Sequence, residues 1–341
     1  MRIILDAMGG DHGAAEFVKG AYMALAEHDV EIALVGAEDE LISLMKQEDP
    51  DGKYSAKISI IPATEVVDMH DDPLKSMKAK PDSSMTVALR TLAEGKGDAV
   101  VSCGNTGALL TQATLIVKRI RGIRRAALAP IIPTATGVAI LIDSGANAEC
   151  TPEYLYQFAL MGSAYSERAL GVKSPKVGLL NNGEEEHKGD AVHQEAYKLL
   201  KAAGDKGIIN FIGNIEGRDG PLGAADVIVA DGFSGNVYLK TVEGVGLYFA
   251  RELKGMFMSS LLGKLAGLMV RKNIAGFKKK IDYNDAGGAP LLGIRKPVIK
   301  AHGSTKARSV YHCIVQASEY VESGIAASLA ESLKEGNEAD E

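Results

Sequence analysis

Tryptophan is absent from the 341-residue sequence, aromatic residues make up only 5% of it, and it contains three cysteines. An odd number of cysteines without paired spacing excludes a disulfide framework and favours a reducing compartment. No run of about 18 uncharged apolar residues occurs, so the sequence predicts no membrane-spanning segment. The apolar run in MRIILDAMGG is too short for a signal peptide. We therefore expect a cytoplasmic protein with a core large enough to need no disulfide or metal ion.

A surplus of positive charge is also missing, because the formal net charge at pH 7 is −6. This balance disfavours a nucleic-acid-binding protein. The charge is unevenly distributed, however. Residues 251–280 contain eight Lys or Arg residues and one acidic residue, so this segment carries +7 and the remainder −13. A basic segment on an acidic protein indicates contact with an anionic partner.

Glycine is abundant, with 38 residues, which suits many tight turns between strands and helices. Short, continuously apolar runs recur, and helix-length intervals separate most of them, a pattern typical of buried parallel strands in an α/β fold. The runs are 2–6, 31–36, 57–62, 98–104, 137–145, 176–183, 208–214 and 226–232. We expect a single α/β catalytic domain over 1–330, including a helical segment at 245–285, with one long helix over 305–330. Residues 331–341 are expected to form an acidic, disordered tail.

In a parallel sheet, ligands bind beyond the carboxyl ends of the strands, so the polar loops there are the candidate site. In DAMGGDHG (6–13), two glycines permit a sharp turn and Asp11 is predicted to cap the next helix. In SCGNTGALL (102–110), small and amide-bearing residues run directly into a helix and suit an oxyanion. In NNGEEEHKGD (181–190), Lys188 is predicted to lie one turn into a helix and to meet an anion. A solvated helix start is the alternative explanation of this charged run.

Two later loops have the size and polarity of phosphate-binding loops, ADGFSGNVYLK (230–240) and KPVIKAHGSTKARS (296–309). Neither has the P-loop form, and no G-x-G-x-x-G, G-x-S-x-G or H-E-x-x-H motif occurs. His187 and His193 are six residues apart, not on one helical face, so a zinc site is not expected. Cys103, at a strand end, is either an acyl-carrying nucleophile or, as is commoner for a lone cysteine, a small buried hydrophobe.

Taken together, these blocks resemble the bacterial phosphate acyltransferase PlsX family. The blocks DAMGGD, SCGNTGAL, NNGEEEHKG, GNIEGRD, ADGFSGN, GGAPLLG and HGST occur in this order between positions 6 and 305. DGFSGNVYLK and KPVIKAHGST are also similar to loops of phosphotransacetylases. The resemblance implies a three-layer α/β/α sandwich with a mostly parallel sheet, of the isopropylmalate-dehydrogenase type, and a homodimer. It also implies transfer of a long-chain fatty acyl group from acyl carrier protein to inorganic phosphate, giving acyl phosphate for phospholipid synthesis.

The candidate residues suit this chemistry, which requires no metal or redox cofactor. Phosphate is already a nucleophile at neutral pH, so the enzyme must position it and stabilise charge on the thioester carbonyl oxygen. Lys188 is the candidate for holding the phosphate or the developing oxyanion. Asp231 is expected to orient a group or accept a proton, and Asn214 to donate to the carbonyl oxygen. The predicted substrate-binding residues are Ser102, Gly104, Asn105, Thr106, Gly232, Ser234, Asn236, His302, Gly303 and Ser304.

Two surface segments are candidate contact sites. In KRIRGIRR (118–125), Arg121, Arg124 and Arg125 are predicted to steer the acidic carrier protein, although cations are favourable at any helix C-terminus. Residues 256–270, drawn as one helix, place an apolar arc beside cations, which predicts peripheral membrane contact. The arc contains Phe257, Leu261, Leu262, Leu265 and Leu268. A helix packed on a dimer partner is the alternative. Membrane contact is expected to serve delivery of the product to a membrane glycerol-3-phosphate acyltransferase.

Two other functions are considered. A dehydrogenase of the same architecture acting on a 2-hydroxy acid would need a nicotinamide site and usually a metal held by clustered aspartates, which the sequence does not offer. A non-catalytic scaffold for carrier protein or membrane would leave the strand-end loops without a role.

Overall fold

The computed structural model describes residues 1–274, 276 and 287–338. Parts of the predicted segment 245–285, including Lys278–Lys280, and the last three residues of the predicted tail lie outside the described residues. The described chain forms two mostly parallel sheets. The first has seven strands in the order β3-β2-β1-β4-β12-β11-β5, and the second has five in the order β6-β7-β10-β8-β9.

The twelve strands of the described residues are β1 Arg2–Asp6, β2 Glu31–Gly36, β3 Ile58–Pro62, β4 Ala99–Ser102, β5 Ala127–Leu128, β6 Ile131–Thr134, β7 Gly137–Ile142, β8 Lys176–Asn181, β9 Asn210–Glu216, β10 Val227–Val229, β11 Ala289–Leu292 and β12 Val298–Lys300. All eight predicted runs form strands, which confirms the interpretation of continuous apolar runs as buried parallel strands. The short strands β5, β6, β11 and β12 were not predicted.

The helices are α1 Ala14–Glu27, α2 Glu38–Glu48, α3 Pro73–Ala79, α4 Ser84–Ala93, α5 Thr106–Gln112, α6 Pro152–Arg168, α7 Ala191–Asp205, α8 Asp219–Leu222, α9 Gly232–Met258, α10 Leu261–Met269, α11 Ala307–Glu322 and α12 Ile325–Glu338. A π-helical turn, Ala113–Val117, follows α5. Helices α1, α6, α7 and α11 share a continuous apolar core with one face of both sheets. Helices α4 and α5 cover the other face of the first sheet, which completes three α/β/α layers.

The helices at the C-terminal end differ from the prediction. The prediction of one helix over 305–330 is wrong, because α11 ends at Glu322 and Gly324 adopts a φ of 62°. Glycine enters this left-handed region without the steric cost that a Cβ atom brings, so it is suited to ending a helix. The predicted tail is helical as far as Glu338.

The segment 256–270 also differs, since two helices replace the predicted one. Helix α9 ends at Met258, and the Ser260 hydroxyl accepts a hydrogen bond from the N–H of Gly263 at 2.9 Å, which caps the start of α10. Phe257 is half-buried against Gly267 and therefore does not belong to the exposed arc. No helix among the described residues is both long and apolar enough to cross a membrane.

Candidate active site

The loops after β1, β4 and β12 lie side by side at the carboxyl edge of the first sheet. In the sheet register, Ser102 pairs with Asp6 on one side and with Lys300 on the other. The main chains of the loops are also joined, because the N–H of Asp11 donates to the carbonyl oxygen of Gly303 at 2.9 Å. The predicted cap by Asp11 is wrong: Gly13 occupies the N-cap position of α1, without a side-chain hydrogen bond.

The predicted anion residue Ser102 lies below its loop, fully buried. Its hydroxyl donates to the Asp6 carboxylate at 2.6 Å and accepts from the N–H of Gly104 at 3.1 Å. Burial raises the pKa of Asp6, and the hydrogen bond from Ser102 opposes this shift. Ser102 and Asp6 therefore fix the turn at Gly104 from within the protein.

At this edge the side chains of Thr106, His302 and Ser304 are exposed, and Asn105 is buried beside them. The Asn105 side chain caps α5, accepting from the N–H of Ala108 at 3.0 Å, and also donates to two carbonyl oxygens of the 68–69 segment. Thr106 is exposed. The His302 ring nitrogen Nδ1 lies 2.8 Å from the Ser304 hydroxyl, so the two side chains support one turn. Hydroxyl and imidazole groups thus face outward here, as an anion site requires.

At the second sheet, the loops after β7 and β10 meet through Asp143. Its carboxylate is fully buried and accepts hydrogen bonds from the N–H groups of Leu128, Ala146 and Asn147. Burial raises the pKa of Asp143 despite these donors. A Cβ atom on Gly235 would lie only 1.9 Å from the Asp143 carbonyl oxygen, so α9 can approach this loop only with glycine there.

Asp231 lies at the start of α9, as its sequence position predicts. Its Oδ1 accepts from the N–H groups of Phe233 and Ser234 at 3.0 and 2.9 Å, which is an N-cap. The N–H of Gly232 donates to the Asn147 carbonyl oxygen at 2.8 Å. Asn236, one turn further, lies beside Gly145. Asp231, Gly232, Ser234 and Asn236 therefore form one cluster with the loop after β7.

Lys188 lies in the loop before α7, so the prediction that it sits inside a helix is wrong. Its side chain packs along Gly183, is 39% exposed, and keeps its ammonium group 3.9 Å from Glu185. Two asparagines hold the loop: Asn181 donates to the Lys188 carbonyl oxygen at 3.3 Å, and Asn214 donates to the Glu185 carbonyl oxygen at 2.9 Å. Asn214 is buried within β9, where it also accepts from Asn181. The loop thus presents a partly exposed cation on a fixed backbone.

His193 makes a contact in this cluster that its sequence position did not predict. Its ring lies between two carboxylates, with Nδ1 2.8 Å from Asp190 and Nε2 3.7 Å from Asp231. Hydrogen bonds from the backbone and ring of His193 lower the pKa of Asp190. The N-cap at Asp190 was predictable from its place directly before the apolar start of α7, whereas the contact of His193 with Asp231 joins two distant segments and has no local signal. His193 had been considered only as a zinc ligand.

Helix α9 connects the two sheet edges. It begins in the Asp231 cluster, and Glu243 on its third turn interacts electrostatically with His302 of the first sheet. Burial raises the pKa of Glu243, and His302 opposes the shift. The predicted residues therefore form two groups, one at each sheet, along a single helix.

The described residues give little support to a cysteine nucleophile or to a metal site. Burial raises the pKa of the Cys103 thiol to about 12, so a reactive thiolate is strongly disfavoured there. Within ranges 1–274 and 287–338, no group of three or more His, Cys, Asp or Glu side chains is placed to bind a metal ion.

The two predicted surface segments are exposed. Arg124 and Arg125 lie with Arg119 and Tyr154 around an open groove of about 530 Å³, and Arg121 is exposed nearby. On α10, Leu261, Leu262, Leu265 and Leu268 are all between 59% and 81% exposed. Gly263 and Gly267 on the same helix approach Phe257 of α9.

Comparison with known proteins decides the family. The model of a family described as "Fatty acid synthesis protein" matches residues 1–328, which include every loop of the candidate site. A phosphate acyltransferase of Thermoanaerobacterium thermosaccharolyticum is 42% identical, over 98% of this chain and 97% of its own. One from Bacillus licheniformis is 43% identical over the full length of both. The chain belongs to the phosphate acyltransferase family.

Solved structures agree on the architecture of this acyltransferase family member. A phosphotransacetylase from Streptococcus pyogenes superposes with a TM-score of 0.62, at 19% identity and with 94% of each chain covered. A branched-chain phosphotransacylase from Enterococcus faecalis gives 0.56, at 15% identity, covering 94% of this chain and 99% of that one. At identities this low, the superpositions establish only the shared α/β fold. That fold confirms the predicted architecture.

The two roles of Asp231, capping and charge, can be separated by substitution. Asp231→Ala removes the acceptor for two N–H groups of α9 and is expected to lower the free energy of unfolding by about 1 kcal/mol. Asp231→Asn keeps a capping oxygen and is expected to unfold like the wild type. Urea unfolding of the three proteins measures this difference. Equal losses in both variants would contradict the capping role.

Proposed function

We propose that this phosphate acyltransferase moves a long-chain fatty acyl group from acyl carrier protein to inorganic phosphate. The proposal rests on the large fraction of the chain that matches its relatives. Relatives named phosphate acyltransferases align with nearly the whole chain, and the family match contains every strand-end loop of the site. The product, an acyl phosphate, serves phospholipid synthesis.

The reaction needs positioning and charge more than it needs a protein nucleophile. A phosphate oxygen attacks the thioester carbonyl carbon, and the C–S bond then breaks. The proton of the phosphate passes to the departing carrier-protein thiolate, so atoms and charge balance. A lysine and fixed polar groups supply the stabilisation of developing charge on the carbonyl oxygen.

The geometry supports a division of roles among the residues. Lys188 holds the phosphate or the oxyanion, because its ammonium group is partly exposed on a braced loop. Asp231 orients a neighbouring group through Oδ2, the oxygen that faces His193. Asn214 positions the Lys188 loop, since its amide contacts Glu185 and Asn181. Gly232, Ser234 and Asn236 form one wall of the phosphate cradle, and Gly104, Asn105, Thr106, His302, Gly303 and Ser304 form the other, with Ser102 below.

Lys188 gives the first test of the chemistry. Lys188→Ala is expected to lower acyl phosphate formation about 100-fold or more, because it removes a cation that stabilises the transition state. Lys188→Arg is also expected to be impaired, since a forked guanidinium does not replace a compact ammonium group. The assay incubates palmitoyl-acyl carrier protein with phosphate and traps acyl phosphate with hydroxylamine.

The control for Lys188 is Lys198→Ala, which removes an exposed lysine ion-paired with Glu195 on α7. All three variants are expected to melt close to the wild type, because exposed substitutions change stability little. Full activity in Lys188→Ala would remove Lys188 from the site. A melting shift on addition of NAD and Mg²⁺, without product in the hydroxylamine assay, would instead favour the dehydrogenase alternative.

The basic groove supports carrier-protein docking. Arg121, Arg124 and Arg125 are exposed, and Arg125 stacks over Tyr154 at 5.6 Å, which holds its charge at the rim. Complementary charge mainly accelerates the encounter between partners and makes it salt-dependent. An acidic carrier protein is a partner of this kind.

Charge reversal tests the groove. Arg121→Glu with Arg124→Glu is expected to raise the KM for acyl carrier protein about tenfold and to flatten its dependence on salt. Arg168→Glu with Lys173→Glu changes charge equally elsewhere and is expected to leave both unchanged. Steady-state kinetics at several salt concentrations measure the effect. An unaltered salt dependence in the groove variant would contradict docking here and point to the basic segment 271–280.

The exposed arc of α10 supports peripheral membrane contact. Leu261, Leu262, Leu265 and Leu268 share one helical face, and cations follow them in the sequence. Helix α9 has further exposed apolar side chains, Leu247, Tyr248 and Phe249 among them, which suit the contact of a homodimer. Membrane contact would bring the acyl phosphate to the membrane glycerol-3-phosphate acyltransferase that uses it.

Vesicle co-sedimentation tests the membrane contact. Wild type is expected to pellet with anionic lipid vesicles, and Leu261→Glu with Leu265→Glu is expected to stay in solution, because charged side chains oppose insertion. Leu222→Glu with Ile208→Glu, at exposed apolar positions elsewhere, is the matched control and is expected to pellet. Light scattering of each protein reports its oligomeric state. Dissociation of the α10 variant into monomers would show that the arc is a subunit interface instead.

A further inference from the structure

A buried lysine lies directly under the loops of the first sheet. Lys300 is the last residue of β12, between β4 and β11, and is only 8% exposed. Lysine is rarely buried to this extent, because removing an ammonium group from water is costly unless polar groups replace the water. The sequence analysis assigned Lys300 no role, although it lies in the KPVIKAHGST segment.

Backbone oxygens of two loops surround this ammonium group. Nζ donates to the carbonyl oxygen of Cys103 at 3.2 Å and to that of Ala301. Cys103 begins the loop that carries Asn105 and Thr106, and Ala301 begins the turn of His302 and Ser304. One cation therefore connects the two loops that form one wall of the proposed cradle. An ammonium group has three N–H donors, one more than these two carbonyls use.

The charged neighbours of Lys300 come from three elements. Asp6 on β1 and Asp11 in the following loop favour the charged form, and neither forms an ion pair with Lys300 among the described residues. The thiols of Cys103 and of Cys313 on α11 also face it. Burial raises the pKa of both thiols, so they remain neutral near Lys300. The positive charge is therefore only partly compensated by the protein.

We propose that Lys300 is a positioning residue of the phosphate site, which holds the loops after β4 and β12 together and supplies buried positive charge beneath them. This proposal rests on the proposed function, because it assumes that phosphate binds at these loops. A bound phosphate dianion would complete the charge compensation, so phosphate binding and protonation of Lys300 favour each other.

The linkage has a defined sign. Burial lowers the pKa of Lys300, so in the free protein it loses its proton at a lower pH than an ordinary lysine. Bound phosphate favours the charged form and raises that pKa again. Phosphate binding is therefore expected to take up protons and to weaken as the pH rises toward the value at which an ordinary lysine loses its proton. Phosphate itself is already a dianion at mildly alkaline pH.

Calorimetric titration of the full chain with inorganic phosphate tests the proposal without requiring acyl transfer. Lys300→Met is expected to bind phosphate about tenfold more weakly at pH 8 and to lose the proton uptake, measured in buffers of different ionisation enthalpy. Lys300→Arg keeps its charge at every pH used, so it is expected to bind more tightly than the methionine variant, also without proton uptake. Lys296→Met is the control, because Lys296 donates to the Gly97 carbonyl oxygen just before the opposite end of β4.

The outcomes separate the two proposals. Phosphate affinity of Lys300→Met within about twofold of wild type would overturn the role of Lys300. If that variant does not fold, wild-type binding decides, since a lack of proton uptake at every alkaline pH up to the ordinary lysine pKa would overturn it equally. Failure of the wild type to form acyl phosphate, despite normal phosphate binding, would overturn the proposed function and leave the role of Lys300 in anion binding intact.

Discussion

The Asp143 carboxylate accepts a hydrogen bond from the N–H of Leu128, on the edge strand of the first sheet, while Asp143 itself directly follows β7 of the second. Its other carboxylate oxygen accepts a hydrogen bond from the N–H of Asn147. The carbonyl oxygen of Asn147 accepts one from the N–H of Gly232, the first residue of α9. One buried charge thus joins both sheets and the start of the helix that runs between them. A buried carboxylate is tolerated only where donors surround it, so this constraint requires all three elements to meet.

The position of α9 links the two separate groups of polar residues that the proposed function assigns to one site. Its N-terminus is fixed by Asp231 and by the glycine contact at Gly235, and its third turn carries Glu243 toward His302. The start of α9 is therefore fixed at the second sheet, and the direction of the helix determines where Glu243 lies relative to the first sheet. A change at Asp231 affects the charge beside His193 and, through the start of α9, the placement of Glu243. The alanine and asparagine variants therefore differ in meaning.

The sequence predicts those parts of the fold that depend on local pattern. Eight strands stand out because each is a short run of mainly apolar residues that ends in a turn, and the strand-end loops follow from them. Strand β12 was missed because it has only two apolar residues, Val298 and Ile299, before Lys300. The ammonium group of Lys300 is buried against carbonyl oxygens of residues 103 and 301. The helix break at Ser260 depends on a single N-cap. The loop position of Lys188 depends on hydrogen bonds from Asn181 and Asn214. Contacts of that kind carry no periodic signal.

The proposed membrane contact and the proposed site lie at opposite ends of α9. Its 27 residues extend over about 40 Å if the helix is straight. A bilayer's hydrocarbon core of about 30 Å holds two chains end to end, so one fatty acyl chain reaches only about half that length. If the acyl phosphate is held beside Asp231, its acyl chain therefore extends along less than half the length of α9. On the proposed function, the product has to leave the phosphate loops before it enters the membrane. The exposed apolar side chains of Val245, Leu247, Tyr248, Phe249 and Leu253 lie in the interval between Asp231 and α10, so a homodimer contact through α9 would cover this interval.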